Sequence, residues 1–238
     1  MHVVIPARYS SSRLPGKALL DIGGKPLLQW VYEKACECNA ETITVATDDD
    51  RIRQVAEAFG ADVCMTSASH RSGTDRIAEV VAIRGWKDDA IVVNFQGDEP
   101  LMPASLLDQV AKTLETHGQA AVSTVCHAID DEKDYQDANV VKVVVDNNGY
   151  ALYFSRASIP WQRDAMSAGN TPDNLGHRHV GLYAYRAGFV QKFAQWAPCD
   201  LETAESLEQL RVLWHGHKIA VCVANELPGP GVDTKADL

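Results

Sequence analysis

The densest chemistry in the chain lies at its start, where Arg8-Tyr9-Ser10-Ser11-Ser12-Arg13-Leu14-Pro15-Gly16-Lys17 follows an apolar run, His2–Ala7. The run reads as a buried first strand, and in open α/β sheets ligands bind outside the carboxyl ends of the strands. Arginine grips phosphate oxygens as a fork, and lysine supplies a compact point charge. Together with backbone N–H groups in a loop rich in Ser, Gly and Pro, they make the kind of cradle a polyphosphate needs. The stretch is not a P-loop, because Ser11 stands where that motif needs its first glycine and Ala18 follows Lys17. Nor does it match G-x-G-x-x-G. Taken alone, it is equally consistent with an exposed basic loop.

Carboxylates recur at two later points. Gln96-Gly97-Asp98-Glu99-Pro100 ends the most apolar strand candidate, Ala90–Phe95, and places Asp98 at the same ligand edge. Magnesium is usually held there by one or two carboxylates plus substrate phosphates. Asp233, in Gly231-Val232-Asp233-Thr234, is the candidate second carboxylate. For both residues an ordinary turn or helix-capping role stays open. Ser72-Gly73-Thr74-Asp75-Arg76 offers N–H groups and hydroxyls to a base or ribose, although Ser72 is first of all an N-cap. Arg156, Arg163, Arg178, His177 and His179 make a cationic set suited to an acidic sugar. No Cys or carboxylate nearby completes a zinc site with the two histidines. Asp48-Asp49-Asp50 has the form of a D-x-D motif, but its place before a helix favours capping and dipole interaction.

These segments need a scaffold that carries them to one edge. Strands expected over His2–Ala7, Thr42–Thr47, Ala61–Met65 and Ala90–Phe95 alternate with helices over Pro26–Cys38, about 50–59 and Thr74–Arg84. A further helix runs from Pro103 to His117. Such alternation means βαβ units and a mostly parallel sheet. The second half is less regular. Val140–Val145, the turn Asp146-Asn147-Asn148-Gly149 and Tyr150–Phe154 read as a hairpin, and Arg156–Asn174 as a long functional loop. Gly181–Tyr185 and Lys218–Val223 read as strands, and Ala187–Trp196 and Leu201–His215 as helices.

Composition narrows the ligand. The chain has 238 residues, of which 46% are hydrophobic, enough for one domain over 1–238 with a full core. Its net charge of −10 argues against nucleic acid as a partner. Yet residues 1–25 carry Arg8, Arg13, Lys17 and Lys25 against Asp21 alone, which suits a small anion at one site. The six cysteines form no C-x-x-C pair and read as reduced thiols. No leader-like segment opens the chain, and no apolar run approaches the ~18 residues of a membrane span, so a cytoplasmic location is expected.

Several motifs then occur in order over nearly the whole chain: R-Y-S-S-S-R-L-P-G-K, S-G-T-D-R, N-F-Q-G-D-E-P, Y-A-L-Y-F-S-R-A-S-I-P-W, E-Q-L-R-V-L-W and P-G-x-G-V-D-T. Together they closely resemble the 3-deoxy-D-manno-octulosonate (Kdo) cytidylyltransferases, the CMP-Kdo synthetases of lipopolysaccharide biosynthesis. Ser10-Ser11-Ser12 stands where Ala-Ser-Thr is common in that family, and Pro230 where Thr is frequent. Neither departure touches a charged residue.

The resemblance implies a Rossmann-like nucleotidyltransferase fold of the α/β class, its mostly parallel sheet flanked by helices, with a smaller dimerisation lobe. About 130–190 would contribute that lobe and the sugar pocket, and the chain would be a homodimer. The implied reaction takes CTP and Kdo to CMP-Kdo and pyrophosphate with Mg²⁺. On this basis Arg8, Arg13 and Lys17 contact the triphosphate, Lys17 also acting in catalysis, and Ser72 and Gly73 lie near the cytidine. Asp98 and Asp233 hold the metal and are catalytic, while Arg76, Gln96, Arg163, His179, Tyr183, Glu208 and Gln209 bind the sugar. The nearest alternative is the same transfer to 8-amino-Kdo or a sialic acid. A nucleotide-sugar glycosyltransferase and a nucleotide-sensing domain are readings of other classes, and neither calls for CTP-dependent release of pyrophosphate.

Overall fold

The computed structural model describes residues 1–10, 14–164, 175–232, 234 and 237. In chain order its first elements are β1 (His2–Ala7), the short strands β2 (Asp21–Ile22) and β3 (Lys25–Pro26), α1 (Leu27–Ala35), β4 (Thr42–Thr47) and α2 (Asp50–Ala58). β5 (Asp62–Met65), α3 (Gly73–Arg84), β6 (Ile91–Asn94), α4 (Ala104–Thr116), β7 (Ala120–Ala128), α5 (Glu132–Gln136), β8 (Lys142–Val145) and β9 (Ala151–Ser155) follow. β10 (His177–Arg186), α6 (Ala187–Phe193), α7 (Asp200–Glu205), α8 (Leu210–Trp214) and β11 (Lys218–Val223) complete the described elements. They fall into two compact units. The first holds Met1–Lys112, Leu182–Gln195 and Asn225–Leu238, and the second Thr113–Gly181 and Trp196–Ala224.

The first unit is built on β1, whose Val3, Val4 and Ile5 are fully buried. Such continuous apolar runs mark strands covered on both faces. β4 and β6 flank β1 in parallel, β5 continues in parallel beyond β4, and β6 pairs antiparallel with β10 from Tyr183 to Arg186. Helices supply the cover: Leu27, Leu28 and Val31 of α1 and Ile77, Val80 and Val81 of α3 are buried. This is the mostly parallel, helix-flanked sheet expected.

The second unit pairs β11 in parallel with β7, and joins β8 to β9 in the antiparallel hairpin expected around Asp146–Gly149. β8 also pairs with β10 at His177 and Arg178. Ile129, Tyr135 and Leu175 form a small apolar cluster there.

The structure departs from the sequence reading at several elements. The helix expected over Leu201–His215 is two helices, α7 and α8, because Ser206 adopts a left-handed conformation with φ 52 between them. β10 begins at His177 rather than Gly181. β7 has no counterpart in the sequence reading, since its small residues (AAVSTVCHA) give neither a helical nor an alternating pattern. All six cysteines are free thiols. No described helix is long and apolar enough to cross a membrane.

Candidate functional site

The loop after β1 is closed at its stems. Gly16 donates its N–H to the Tyr9 carbonyl at 2.8 Å and turns the chain with φ +70, a conformation that favours glycine. This closure fixes the backbone beside Arg8 at one stem and Lys17 at the other. Lys17 begins a short 3₁₀ turn, Lys17–Leu19, and its Nζ lies 2.6 Å from Oδ2 of Asp98. The Lys17 side chain is only 12% exposed, so solvent screens this pair less than a surface pair. A cation from the first strand loop and a carboxylate from the β6 loop are thus joined.

The close approach of these loops depends on Gly97. A Cβ there would stand 3.0 Å from the Pro6 carbonyl, so no larger residue fits without a shift of the β1 backbone. The chain before Asp233 reaches the same loop: Val232 donates its N–H to the Asp98 carbonyl at 2.8 Å. A Cβ on Gly229 would stand 2.6 Å from Cβ of Leu101, which accounts for the glycine in the P-G-P-G turn. Asp233 itself, and Arg13 in the first loop, lie outside the described residues.

Among the described residues no three His, Cys, Asp or Glu side chains are grouped to hold a metal ion. The donor chemistry at Asp98 nevertheless fits magnesium. The ion binds through one or two carboxylates plus substrate phosphates, and Asp98 is a partly exposed hard-oxygen donor beside Lys17.

The loop between β5 and α3 forms another side of the region. Ser72 caps α3: its Oγ accepts the Asp75 N–H at 3.1 Å, and Asp75 Oδ2 accepts the Ser72 N–H at 3.2 Å, a reciprocal capping box. The N-cap reading of Ser72 is therefore present in the structure. A Cβ on Gly73 would stand 3.3 Å from Cγ of Pro6, so the start of α3 lies against the end of β1. Arg8 Nη1 donates to the Arg71 carbonyl at 3.1 Å.

Arg76, expected among the sugar residues, is fully buried in α3 instead of presenting a free edge. Its guanidinium donates to Thr66 Oγ1 and, at 3.0 Å, to Asp48 Oδ1, bracing the loop from beneath. The Asp48-Asp49-Asp50 run resolves likewise into structural roles. Asp48 pairs with Arg76, Asp49 caps α2, and Asp50 binds Arg53 at 3.0 Å.

Gln96 and Tyr183 meet through a residue that sequence reasoning missed. Asn94, 2% exposed at the end of β6, accepts a hydrogen bond from Gln96 Nε2 at 3.1 Å and is the cross-strand partner of Tyr183. An asparagine closing an apolar strand was the available signal.

The remaining expected residues, Arg163, His179, Glu208 and Gln209, belong to the second unit. His179 sits by Thr124 Oγ1 at 2.9 Å and edge-on to Phe154, with ring centroids 5.0 Å apart. Burial pushes its imidazole down to about 3, so it is neutral at physiological pH. Gln209 is buried, Glu208 is half-buried 3.8 Å from Arg211, and Arg163 is exposed. The two other arginines of the expected set are engaged in the framework. Arg156 donates to the carbonyls of Glu205 at 2.7 Å and Ala138 at 2.9 Å, and Arg178 pairs with Asp134 at 3.1 Å.

A helix-flanked parallel sheet with cations and a carboxylate at its strand ends defines a nucleotidyltransferase-type site. The chain belongs to the cytidylyltransferase family, whose model matches residues 2–219. Two full-length relatives share one name. A 3-deoxy-manno-octulosonate cytidylyltransferase of Aliivibrio fischeri is 56% identical over 99% of this chain and 95% of its own length. One from Vibrio vulnificus is 54% identical over 99% of this chain and 94% of its own. Among solved structures, a CMP:2-keto-3-deoxy-manno-octonic acid synthetase complexed with CTP matches with a TM-score of 0.89 and 43% identity, covering 98% of this chain and 93% of that one. A cytidylyltransferase from Leptospira borgpetersenii, 17% identical with a TM-score of 0.63 over 99% of this chain and 82% of that one, shares the fold.

Proposed function

We infer that the chain transfers CMP from CTP to the anomeric hydroxyl of Kdo, releasing pyrophosphate. The observation that carries this reading is identity of 54–56% over 99% of the chain to relatives named for this activity. The joined Lys17 and Asp98 at the strand ends suit it chemically. The sugar hydroxyl attacks the α-phosphorus in line, forming the new O–P bond and losing its proton to solvent as the bond from the α-phosphorus to the bridging oxygen breaks and pyrophosphate leaves. Phosphoryl-type transfer asks little covalent chemistry of the protein, so positioning and charge neutralisation carry the catalysis.

In this reading Arg8, Arg13 and Lys17 neutralise the triphosphate, and Lys17 stabilises the leaving pyrophosphate. Ser72 and Gly73 border the cytidine. Binding of the acidic sugar is assigned to Gln96, Tyr183, Arg163, neutral His179, Glu208 and Gln209, whereas Arg76 acts from beneath the nucleotide loop. Asp98 and Asp233 hold magnesium, which when bound supplies Lewis-acid stabilisation of charge on phosphate and hydroxyl oxygens. The reaction belongs in the cytoplasm. Homodimerisation through 130–190 is part of the same proposal, supported by Leu152 and Trp161, which are 61% and 62% exposed.

The test crosses each of the four nucleoside triphosphates with Kdo, 8-amino-Kdo and N-acetylneuraminate, and follows pyrophosphate release. CTP with Kdo should give the highest kcat/KM. Preference for another acidic sugar would replace the acceptor, and release without any sugar would overturn the transfer.

A further inference from the structure

Tyr9 and Arg51 stand outside every role assigned so far, yet they touch. The Arg51 guanidinium carbon lies 3.3 Å from the centre of the Tyr9 ring, a close cation–π stack. Asp49 fixes the guanidinium in turn, accepting from Nε at 2.9 Å and Nη2 at 2.6 Å. Asp49 is itself held, because the same side chain caps α2 through the Arg51 N–H at 2.9 Å. At the other stem of the loop, Gly16 packs so close to this ring that a Cβ would stand 3.2 Å from Tyr9 Cε2. The Gly16 N–H, bonded to the Tyr9 carbonyl, completes the closure.

We propose that Asp49, Arg51 and Tyr9 form a clasp that holds the two stems of the first loop together, making Arg51 a positioning residue for the triphosphate. The inference rests on the proposed use of CTP, since the residues adjoining the clasped stems are Arg8 and Lys17. Arg51 acts through Tyr9, and the clasp requires its planar fork. A lysine keeps the charge but cannot both stack flat on the ring and bind Asp49 through two parallel donors.

The experiment combines steady-state kinetics of the full chain with amide hydrogen exchange at Gly16 in the absence of nucleotide. Arg51→Ala should raise KM for CTP about tenfold, leave KM for Kdo within about twofold, and speed exchange at Gly16. Arg51→Lys should match Arg51→Ala. Tyr9→Leu should produce the same pattern, with Tyr9→Phe recovering most of the loss. Adding Tyr9→Leu to Arg51→Ala should bring little further change, because the two act as one unit. An unchanged KM for CTP, equal rises in both KM values, or rescue by lysine would overturn the clasp. Failure of the unmutated chain to release pyrophosphate from CTP would instead defeat the proposed reaction, and exchange at Gly16 would still decide whether the clasp exists.

Discussion

The triphosphate side and the sugar side of the proposed reaction are built differently. The first is assembled at strand ends distant in sequence, as the meeting of Lys17 with Asp98 shows. Cations and a carboxylate stand at the ends of β1 and β6, the helix that follows β5 is capped by Ser72, and close backbone approaches at Gly73 and Gly97 draw these loops together. The second unit relies on polar side chains that bind backbone carbonyls, an N–H and opposite charges within the unit. Lys142, with no exposed surface, donates to the carbonyls of Asp137 at 2.8 Å, Val140 at 2.5 Å and Arg156 at 2.7 Å. Glu205 accepts from Ser155 Oγ at 2.6 Å and from the Arg156 N–H at 2.9 Å. Arg211 grips Glu202 at 2.7 and 2.5 Å. The difference teaches that the proposed phosphate site is assembled by strand ends, whereas the segments proposed for the sugar are anchored by a polar framework.

The largest effect should fall on the first side. Asp98→Asn is expected to lower kcat by roughly 10³-fold, about 4 kcal/mol of transition-state stabilisation, with the fold intact by circular dichroism. Near-normal turnover at saturating Mg²⁺ would remove Asp98 from the reaction and erase the contrast. On the second side a framework residue should act on stability first. Glu205→Ala leaves the Ser155 hydroxyl and Arg156 N–H without their acceptor and should destabilise by ~3 kcal/mol, read from the denaturant midpoint. A shift below ~1 kcal/mol would mean the framework is not what holds this region.

Arg163→Ala should separate sugar binding from both of those effects. KM for Kdo is expected to rise about tenfold, roughly 1.4 kcal/mol, with KM for CTP unchanged. An unaltered KM for Kdo would take Arg163 out of the pocket. The smallest effect concerns His179, whose folded-state pKa is depressed from 6.5 to about 3. Between these values the unfolded chain binds the proton and the folded chain does not, so the native state loses stability as pH falls below 6.5. From about pH 7 to pH 5.5 this contribution amounts to ~1 kcal/mol. His179→Gln should remove that part of the acid sensitivity, and parallel stability curves for the two proteins would show that the imidazole is not buried neutral.

The same contrast explains what could be read in advance. β1, β4 and β11 carry the limits the sequence suggested, because apolar, β-branched runs bounded by polar residues leave little choice of end. Asp49 and Ser72 behave as caps for an equally local reason. Lys142 was not legible: a lysine inside an apolar strand reads as an outward-facing position, and the strand pattern gives no sign that the carbonyls of Asp137, Val140 and Arg156 converge on its ammonium. Arg156 misled in the opposite sense, since an arginine in a polar stretch resembles a ligand residue until its backbone acceptors are seen. The break between α7 and α8 escaped because Ser206 carries no local mark of a left-handed turn.

The fate of the α-phosphorus of CTP tests the central claim most directly. Phosphorus NMR of the unmutated chain with CTP, Kdo and Mg²⁺ should show a new phosphodiester signal growing in step with pyrophosphate, in equal amounts. CDP with inorganic phosphate, free CMP without a sugar adduct, or unchanged CTP would contradict cytidylyl transfer to Kdo.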